Sequence, residues 1–370
     1  MKPSKAMTWC RSLTRQGADM TVTGSPLPWR AKASDLRPML AALEDAPLRD
    51  PHLIYEPKYD GIRALIEVHP GTGSGGVRIW SRLGNDKTAQ FPEIIRALDR
   101  FRRKLKAPVV LDGEIVALDE AGEPTGFQQL QNRIHVMDMA QGVMVTAVRP
   151  VAFIAFDVLR DGDMDLRPLP LAVRRVRLER MFGSAPGSIL RLSDAVLADG
   201  TALYRQALDH GWEGLIAKSV QSPYRTGRRS AEWRKLKIVK QQEFVVGGWT
   251  EPRRSRAYFG ALLLGVYDNQ GLRYVGHTGT GFTHASLASL DTLLRKLERD
   301  TSPFVKRPAT NERPHWVAPK LVAEVKFTEW TADGKLRHPT YLGLRDDIDP
   351  RTIRREPVAR LHETSMRDVK

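Results

Sequence analysis

The sequence predicts an α+β protein of two domains, the second a small β-barrel, and three observations carry that prediction. With 370 residues the chain has room for two cores of ordinary size. From Leu53 onward, short apolar segments of strand length alternate with turn signals, broken by a few stretches with helical spacing. Near Lys237-Ile238-Val239-Lys240-Gln241 the style changes to closely spaced strands with one intervening helix, the pattern of an OB-type barrel.

Each element has its own justification. Residues 1–25 are basic and lack apolar periodicity, so a disordered leader is expected there. Leu53 to Glu56 and Arg63 to Val68 read as strands flanking a lysine-containing turn. The glycines Gly71, Gly73 and Gly76 fit Gly-x-Gly-x-x-Gly, but Val77 to Arg82 is another strand, so a hairpin loop is expected rather than a dinucleotide-binding turn, which must open a helix. Ile94, Ile95, Leu98 and Phe101 predict a helix over Phe91 to Lys104. Val109 to Leu118 and Val151 to Leu159 are continuously apolar and should be central strands. Pro170 to Met181 and Thr201 to His210 read as helices, and Gly214 to Lys218 as a strand. In the second domain, strands are expected at Glu243 to Trp249, Tyr258 to Tyr267, Leu272 to Gly276 and Leu321 to Trp330. A helix is expected at Phe282 to Glu298, a loop at Thr301 to Pro319, and a charged tail over 356–370.

Composition narrows the function. Charged residues make up 27% and hydrophobic ones 41%, a globular balance. A net charge of +15 and a pI near 10.0 point to a polyanionic partner, with nucleic acid favoured. Cys10 is the only cysteine, so no intramolecular disulfide forms and a cysteine-based zinc site is disfavoured. The longest apolar run, Ala261 to Val266, is too short to span a bilayer, and the N-terminus lacks the apolar core of a secretory signal. A cytoplasmic, nucleoid-associated protein without membrane contact is expected.

The chemistry concentrates in Glu56-Pro57-Lys58-Tyr59-Asp60-Gly61-Ile62-Arg63. Only roughly one unperturbed lysine in a thousand is neutral near pH 7.5, so a nucleophilic lysine needs burial, nearby cations or a metal. Asp60 offers a metal ligand, Gly61 a tight turn and Arg63 a planar fork for ribose or phosphate oxygens. Downstream, Asp112-Gly113-Glu114 and Phe156-Asp157 lie in apolar strands, and Glu213 to Lys218 sets an acid before a strand whose Ile216 can cover a flat ring. Alternation along Trp233 to Lys237 puts Lys235 and Lys237 on one side, where they can neutralise a phosphate.

The ordered set Glu56 to Arg63, Ser81-Arg82, Asp112 to Glu114, Phe156-Asp157, Glu213 to Lys218 and Lys235 to Lys237 resembles the motifs of ATP-dependent DNA ligases. Gly247 to Arg253, Gly260 to Tyr267, Tyr274 to Phe282, Leu336 to Thr340 and Gly343 to Arg345 are similar to the ligase module of bacterial LigD, which serves non-homologous end joining. The resemblance implies a nucleotidyltransferase (adenylation) domain over 26–240 and an OB-fold domain over 241–355. It implies Lys58 as the nucleophile toward ATP, and Asp60, Glu114 and Glu213 as ligands of Mg²⁺ or Mn²⁺, with Glu114 alternatively on the ribose. Glu56 and Phe156 would bound the adenine with Ile216 on its other face. Arg63 and Arg82 would contact ribose or phosphate, and Lys235 and Lys237 the α-phosphate. The implied partners are duplex DNA with nicks or ends and a Ku-type end-bridging protein, with the ligase itself a monomer. An RNA ligase, a capping-type guanylyltransferase and a non-catalytic nucleic-acid-binding protein are the alternatives. One departure stands out: the family closes its barrel motif with Arg-x-Asp-Lys, whereas here Arg345-Asp346-Asp347 is followed by Ile348.

Overall fold

A computed structural model of the chain describes residues 25–72, 75–131, 149–182, 188–253 and 257–356. All but the last residue of the expected leader, and all but the first of the expected tail, lie outside the described residues. The chain forms two compact units that join between Ile238 and Val239.

The first unit contains β1 (Leu27–Pro28), β2 (Leu40–Ala42), β3 (Arg49–Pro57), β4 (Ile62–Val68), β5 (Val77–Ser81), α1 (Pro92–Arg102), β6 (Val109–Ala117) and β7 (Val151–Asp161). It continues with β8 (Met164–Asp165), α2 (Leu171–Phe182), β9 (Leu190–Leu192), β10 (Val196–Asp199), α3 (Thr201–Asp209), β11 (Gly214–Ser219) and β12 (Arg229–Lys237). These strands form a seven-stranded sheet in the order β1-β8-β7-β6-β4-β5, with β9 against β7, and a five-stranded sheet in the order β10-β3-β11-β12-β2. The apolar runs expected to be central are so: β6 lies between β4 and β7. The glycine stretch after β4 does join a hairpin, because β4 and β5 pair antiparallel.

Side-chain alternation decides what each sheet face carries. Along β4, Ile62, Ala64, Ile66 and Val68 enter a core with Ile94, Leu98 and Phe101 of α1. Leu65 points the other way and joins Val110, Phe156, Leu159, Ile54 and Trp233 in a core between the two sheets. The far face of the five-stranded sheet buries Leu53, Tyr55, Leu215, Ala217 and Leu236 against Leu203 and Ala207 of α3. Glu56, Ile216, Lys218, Lys235 and Lys237 alternate with those residues and therefore share the inter-sheet side. A bulge in β7 takes Phe156 out of register, since Asp112 pairs with Asp157 and Gly113 with Ala155. The extra residue sends Phe156 toward the second sheet while Ala155 and Val158 stay in the first core.

The second unit contains β13 (Gln241–Thr250), β14 (Leu262–Asp268), β15 (Gly271–Thr278), α4 (His284–Lys296), β16 (Glu298–Arg299), β17 (Pro314–Lys326), β18 (Glu329–Trp330), β19 (Leu336–Arg337) and β20 (Thr340–Arg345). Its main sheet runs β15-β14-β13-β17-β16 with β20 against β17, which is the expected OB-type unit of antiparallel strands with one helix. Three boundaries differ from expectation by more than two residues. The strand expected at Tyr258 begins at Leu262, because Tyr258 takes a positive φ of 69° that no strand holds. The loop expected through Pro319 ends at Pro314, since Trp316 and Val317 are buried and extend β17. The strand expected through Trp330 stops at Lys326, and Glu329–Trp330 pairs separately with Leu336–Arg337. Ile348 is buried in the barrel core, and Arg345 is forked onto Asp347 at 2.8 and 2.9 Å with Glu324 at 3.1 Å.

Asp157 and Arg174 are both fully buried and joined by two hydrogen bonds of 2.8 Å. Removing one partner strands a buried charge, so Asp157→Ala is expected to cost about 3–5 kcal/mol of stability, read by urea denaturation. A loss below about 1 kcal/mol would mean that Arg174 finds water.

Candidate active site

Lys58 is the first residue after β3, and its backbone N–H donates to the Gly214 carbonyl at 2.9 Å. That bond pins the start of the turn to β11. Gly214 must be glycine: its φ is +146°, and a Cβ would lie 2.0 Å from the Leu236 carbonyl oxygen. Gly61 is equally constrained, with a Cβ 2.2 Å from the Ile115 oxygen, so the turn presses directly on β6. The Lys58 ammonium is paired with Glu213, whose other carboxylate oxygen lies 4.0 Å from Nζ of Lys237. Glu213 is buried while Lys58 and Lys237 are both part-exposed, so a buried carboxylate sits between two part-exposed ammonium groups.

Behind Lys58 the strands hold a cross-sheet row. Glu56 of β3 lies opposite Ile216 of β11, which lies opposite Lys235 of β12. The Glu56 carboxylate is buried and accepts from Lys218 at 2.7 Å, Ser193 at 3.2 Å and Arg175 at 3.4 Å. Burial pushes the Lys218 ammonium below the usual lysine range, with Glu56 pulling the other way. Lys218 also lies 4.3 Å from the Phe156 ring centroid and 4.4 Å from that of Trp233.

On the facing sheet, Arg63 donates to both oxygens of Asp112, at 2.6 and 2.7 Å, and its guanidinium stacks 4.4 Å from the Phe156 centroid. Burial opposes the charge on Arg63, but the Asp112 carboxylate more than offsets it and holds the group protonated. Tyr224 donates to the same carboxylate at 2.6 Å; burial and then Asp112 push its hydroxyl well above the ordinary tyrosine range. Phe156 is thus flanked by two cations, where an open stacking platform was expected. Its ring is almost fully buried, at 6% exposure.

The remaining expected residues are placed as follows. Glu114 is part-exposed, opposite Arg63 in the β4–β6 register. Arg82 follows β5, one step beyond the Ala64–Ser81 pair. Asp60 accepts the Phe127 backbone N–H at 3.1 Å. Among the described residues no three His, Cys, Asp or Glu side chains stand together as a cation site. Asp60, Glu114 and Glu213 have the oxygen chemistry that Mg²⁺ or Mn²⁺ takes; Glu213 pairs with Lys58 and Asp60 accepts a backbone N–H, each keeping further lone pairs.

Sequence reasoning missed Arg175, Ser193 and Tyr224 as site residues, and carried Asp112, Lys218 and Trp233 in their motifs without assigning them individual roles. Lys218 had a signal, since it lies two residues beyond Ile216 and shares its face. Arg175 had none, because α2 carries several arginines and only packing shows which are buried.

Comparison with known proteins follows the same division of the chain. The ATP dependent DNA ligase domain family matches residues 38–237, and the ATP dependent DNA ligase C terminal region matches 255–348. The multifunctional non-homologous end joining protein LigD of Mycobacterium bovis is 38% identical over 326 residues, covering 87% of this chain and 40% of that protein. LigD of Pseudomonas aeruginosa is 35% identical over 364 residues, covering 95% and 41%. A DNA ligase of Thermococcus fumicolans is 31% identical, covering 85% of this chain and 56% of that protein. The chain thus spans about 40% of the length of its LigD relatives. The solved structure of mycobacterial DNA ligase D complexed with ATP and MES superposes with a TM-score of 0.63 at 37% identity, covering 88% of this chain and all of that one.

Glu213→Gln keeps the volume beside Lys58 and removes the charge. It is expected to slow formation of the chain's AMP adduct from ATP by about 10²-fold, measured in single turnover with unchanged thermal stability. A wild-type rate would show that Glu213 is only a structural neighbour.

Proposed function

Because the chain belongs to the ATP-dependent DNA ligases, we propose that it seals breaks in duplex DNA with Lys58 as its nucleophile. The observation that supports this most is the Lys58–Glu213–Lys237 cluster at the end of β3. It gives one part-exposed amine an adjacent carboxylate to take its proton and a second cation to draw in phosphate. The neutral Lys58 nitrogen attacks the α-phosphorus of ATP, the N–P bond forms and the bond to pyrophosphate breaks. A 5′-phosphate oxygen at the break then attacks the same phosphorus, and Lys58 leaves. Finally the 3′-hydroxyl attacks the 5′-phosphorus, the strand is joined and AMP departs. Each step needs in-line positioning and neutralisation of phosphate charge, to which Lys235, Lys237 and a Mg²⁺ or Mn²⁺ ion held by Asp60, Glu114 and Glu213 would contribute. Lys235 and Lys237 would meet the α-phosphate, Arg63, Arg82 and Glu114 the ribose or phosphates, and Ile216 the adenine, with Glu56 behind the pocket. Phe156 reaches the adenine in this reading only if Lys218 or Arg63 shifts off its ring.

The cellular role in this reading is repair by end joining, as the names of the LigD relatives suggest, acting as a monomer with a Ku-type protein to bring ends together. The match of the C-terminal region to DNA ligases weighs against an RNA ligase or a capping enzyme. No helix among the described residues is long and apolar enough to cross a membrane. A cytoplasmic, nucleoid-associated location accords with the +15 charge.

Lys58→Ala separates the steps. It is expected to form no AMP adduct and to leave 5′-phosphate nicks open, yet to seal a nick whose 5′ end is already adenylated. Lys58→Arg should behave likewise, since guanidinium stays protonated. An AMP adduct on the alanine variant, detected on a denaturing gel, would remove Lys58 from this role.

A further inference from the structure

The turn between β11 and β12 builds a second cationic site outside the Lys58 cluster. Asp165, Arg167, Tyr224, Arg225, Thr226 and Arg228 line a groove of about 350 Å³. Two of its arginines are already neutralised. Arg167 forks onto Asp165 at 2.9 and 2.6 Å, and Arg225 onto Glu232 at 2.6 and 2.9 Å. Arg228 is different: it is exposed, and no side-chain bond or ion pair engages its guanidinium among the described residues. Arg37 stands beside the same turn, where its carbonyl accepts the Gly227 N–H at 2.8 Å. Its guanidinium meets only the carbonyls of Ser34 and Leu36, at 3.0 and 2.9 Å, so its charge also stays uncompensated.

The groove is held firmly. Arg167 stacks 5.2 Å from the Trp29 ring and donates to Thr226 at 3.2 Å. On its inner wall, Tyr224 donates to Asp112, the carboxylate that fixes Arg63 in the active site. An open groove whose acids are engaged, lined by the exposed Arg228 guanidinium and bordered at Gly227 by the Arg37 segment, selects a phosphate-bearing chain.

Resting on the ligase reading above, we propose that Arg228 and Arg37 bind a backbone phosphodiester of the DNA being sealed, one hydrogen-bonded step away from the active site through Tyr224. Such contacts position the duplex without reading its sequence.

The test uses the whole chain with nicked duplex, comparing wild type with Arg228→Ala, Arg228→Glu and Arg37→Ala. Binding is measured by fluorescence anisotropy from about 50 to 200 mM salt, alongside AMP-adduct formation from ATP. Each alanine variant should bind roughly three- to tenfold more weakly, with the salt slope reduced by about one, and Arg228→Glu more weakly still. Adduct formation should not change. Unchanged affinity and slope would overturn the proposal. Adduct formation lost in step with binding would overturn it too, placing the groove on the ATP path. A wild-type chain that forms no adduct would instead sink the ligase reading, and nick binding would still decide for or against the groove.

Discussion

Glu56 lies buried between the two sheets of the first unit, and an ionised carboxylate there is tolerable only because Lys218, Arg175 and Ser193 surround it. The three partners come from β11, from α2 and from the loop after β9. One carboxylate therefore ties both sheets and a helix to the residue two places before Lys58. The same demand recurs across the inter-sheet face, where Asp112 is met by Arg63 and Tyr224 and Asp157 by Arg174. Each removal from water must be matched by hydrogen-bonded pairing, and that requirement sets the geometry within which Lys58 works.

This pairing explains why the nucleophile stands at the edge of the cleft. Deeper positions on the same face belong to Glu56 and Lys218, which are almost fully buried and mutually satisfied. Where β3 ends, with the Lys58 N–H fastened to Gly214, an amine reaches solvent with a carboxylate beside it. The pairing also accounts for Phe156, whose ring serves as a seat for Arg63 and Lys218. In the barrel, Ile348 occupies core volume, and Arg345 is committed to Asp347 and Glu324. The position where the family carries a lysine is here part of the apolar packing.

Much of the fold was legible because its signals are local. The long apolar strands β6 and β7, the helix with Ile94, Leu98 and Phe101, and the change of pattern near Ile238 all declare themselves through period and composition. Strands of two or three residues, such as β8, β9 and β16, were not legible, since their pairing depends on distant chain rather than on their own sequence. The site was legible where motif and register coincide, as for Lys58, Glu213 and Lys237. It was not where tertiary packing chooses among equivalent residues, as for Arg175 among the arginines of α2. Sequence spacing also does not announce that Asp60 accepts a backbone N–H and that Glu213 pairs with Lys58.

The central claim is that the buried Glu56–Lys218 pair positions Lys58 for attack. A double-mutant cycle on single-turnover AMP-adduct formation tests it most directly, using Glu56→Gln, Lys218→Met and the two together. The account predicts that each single change slows adduct formation and that the double variant is no slower than the worse single, a coupling of at least about 1 kcal/mol. Rates that multiply, with no coupling between the two sites, would contradict it.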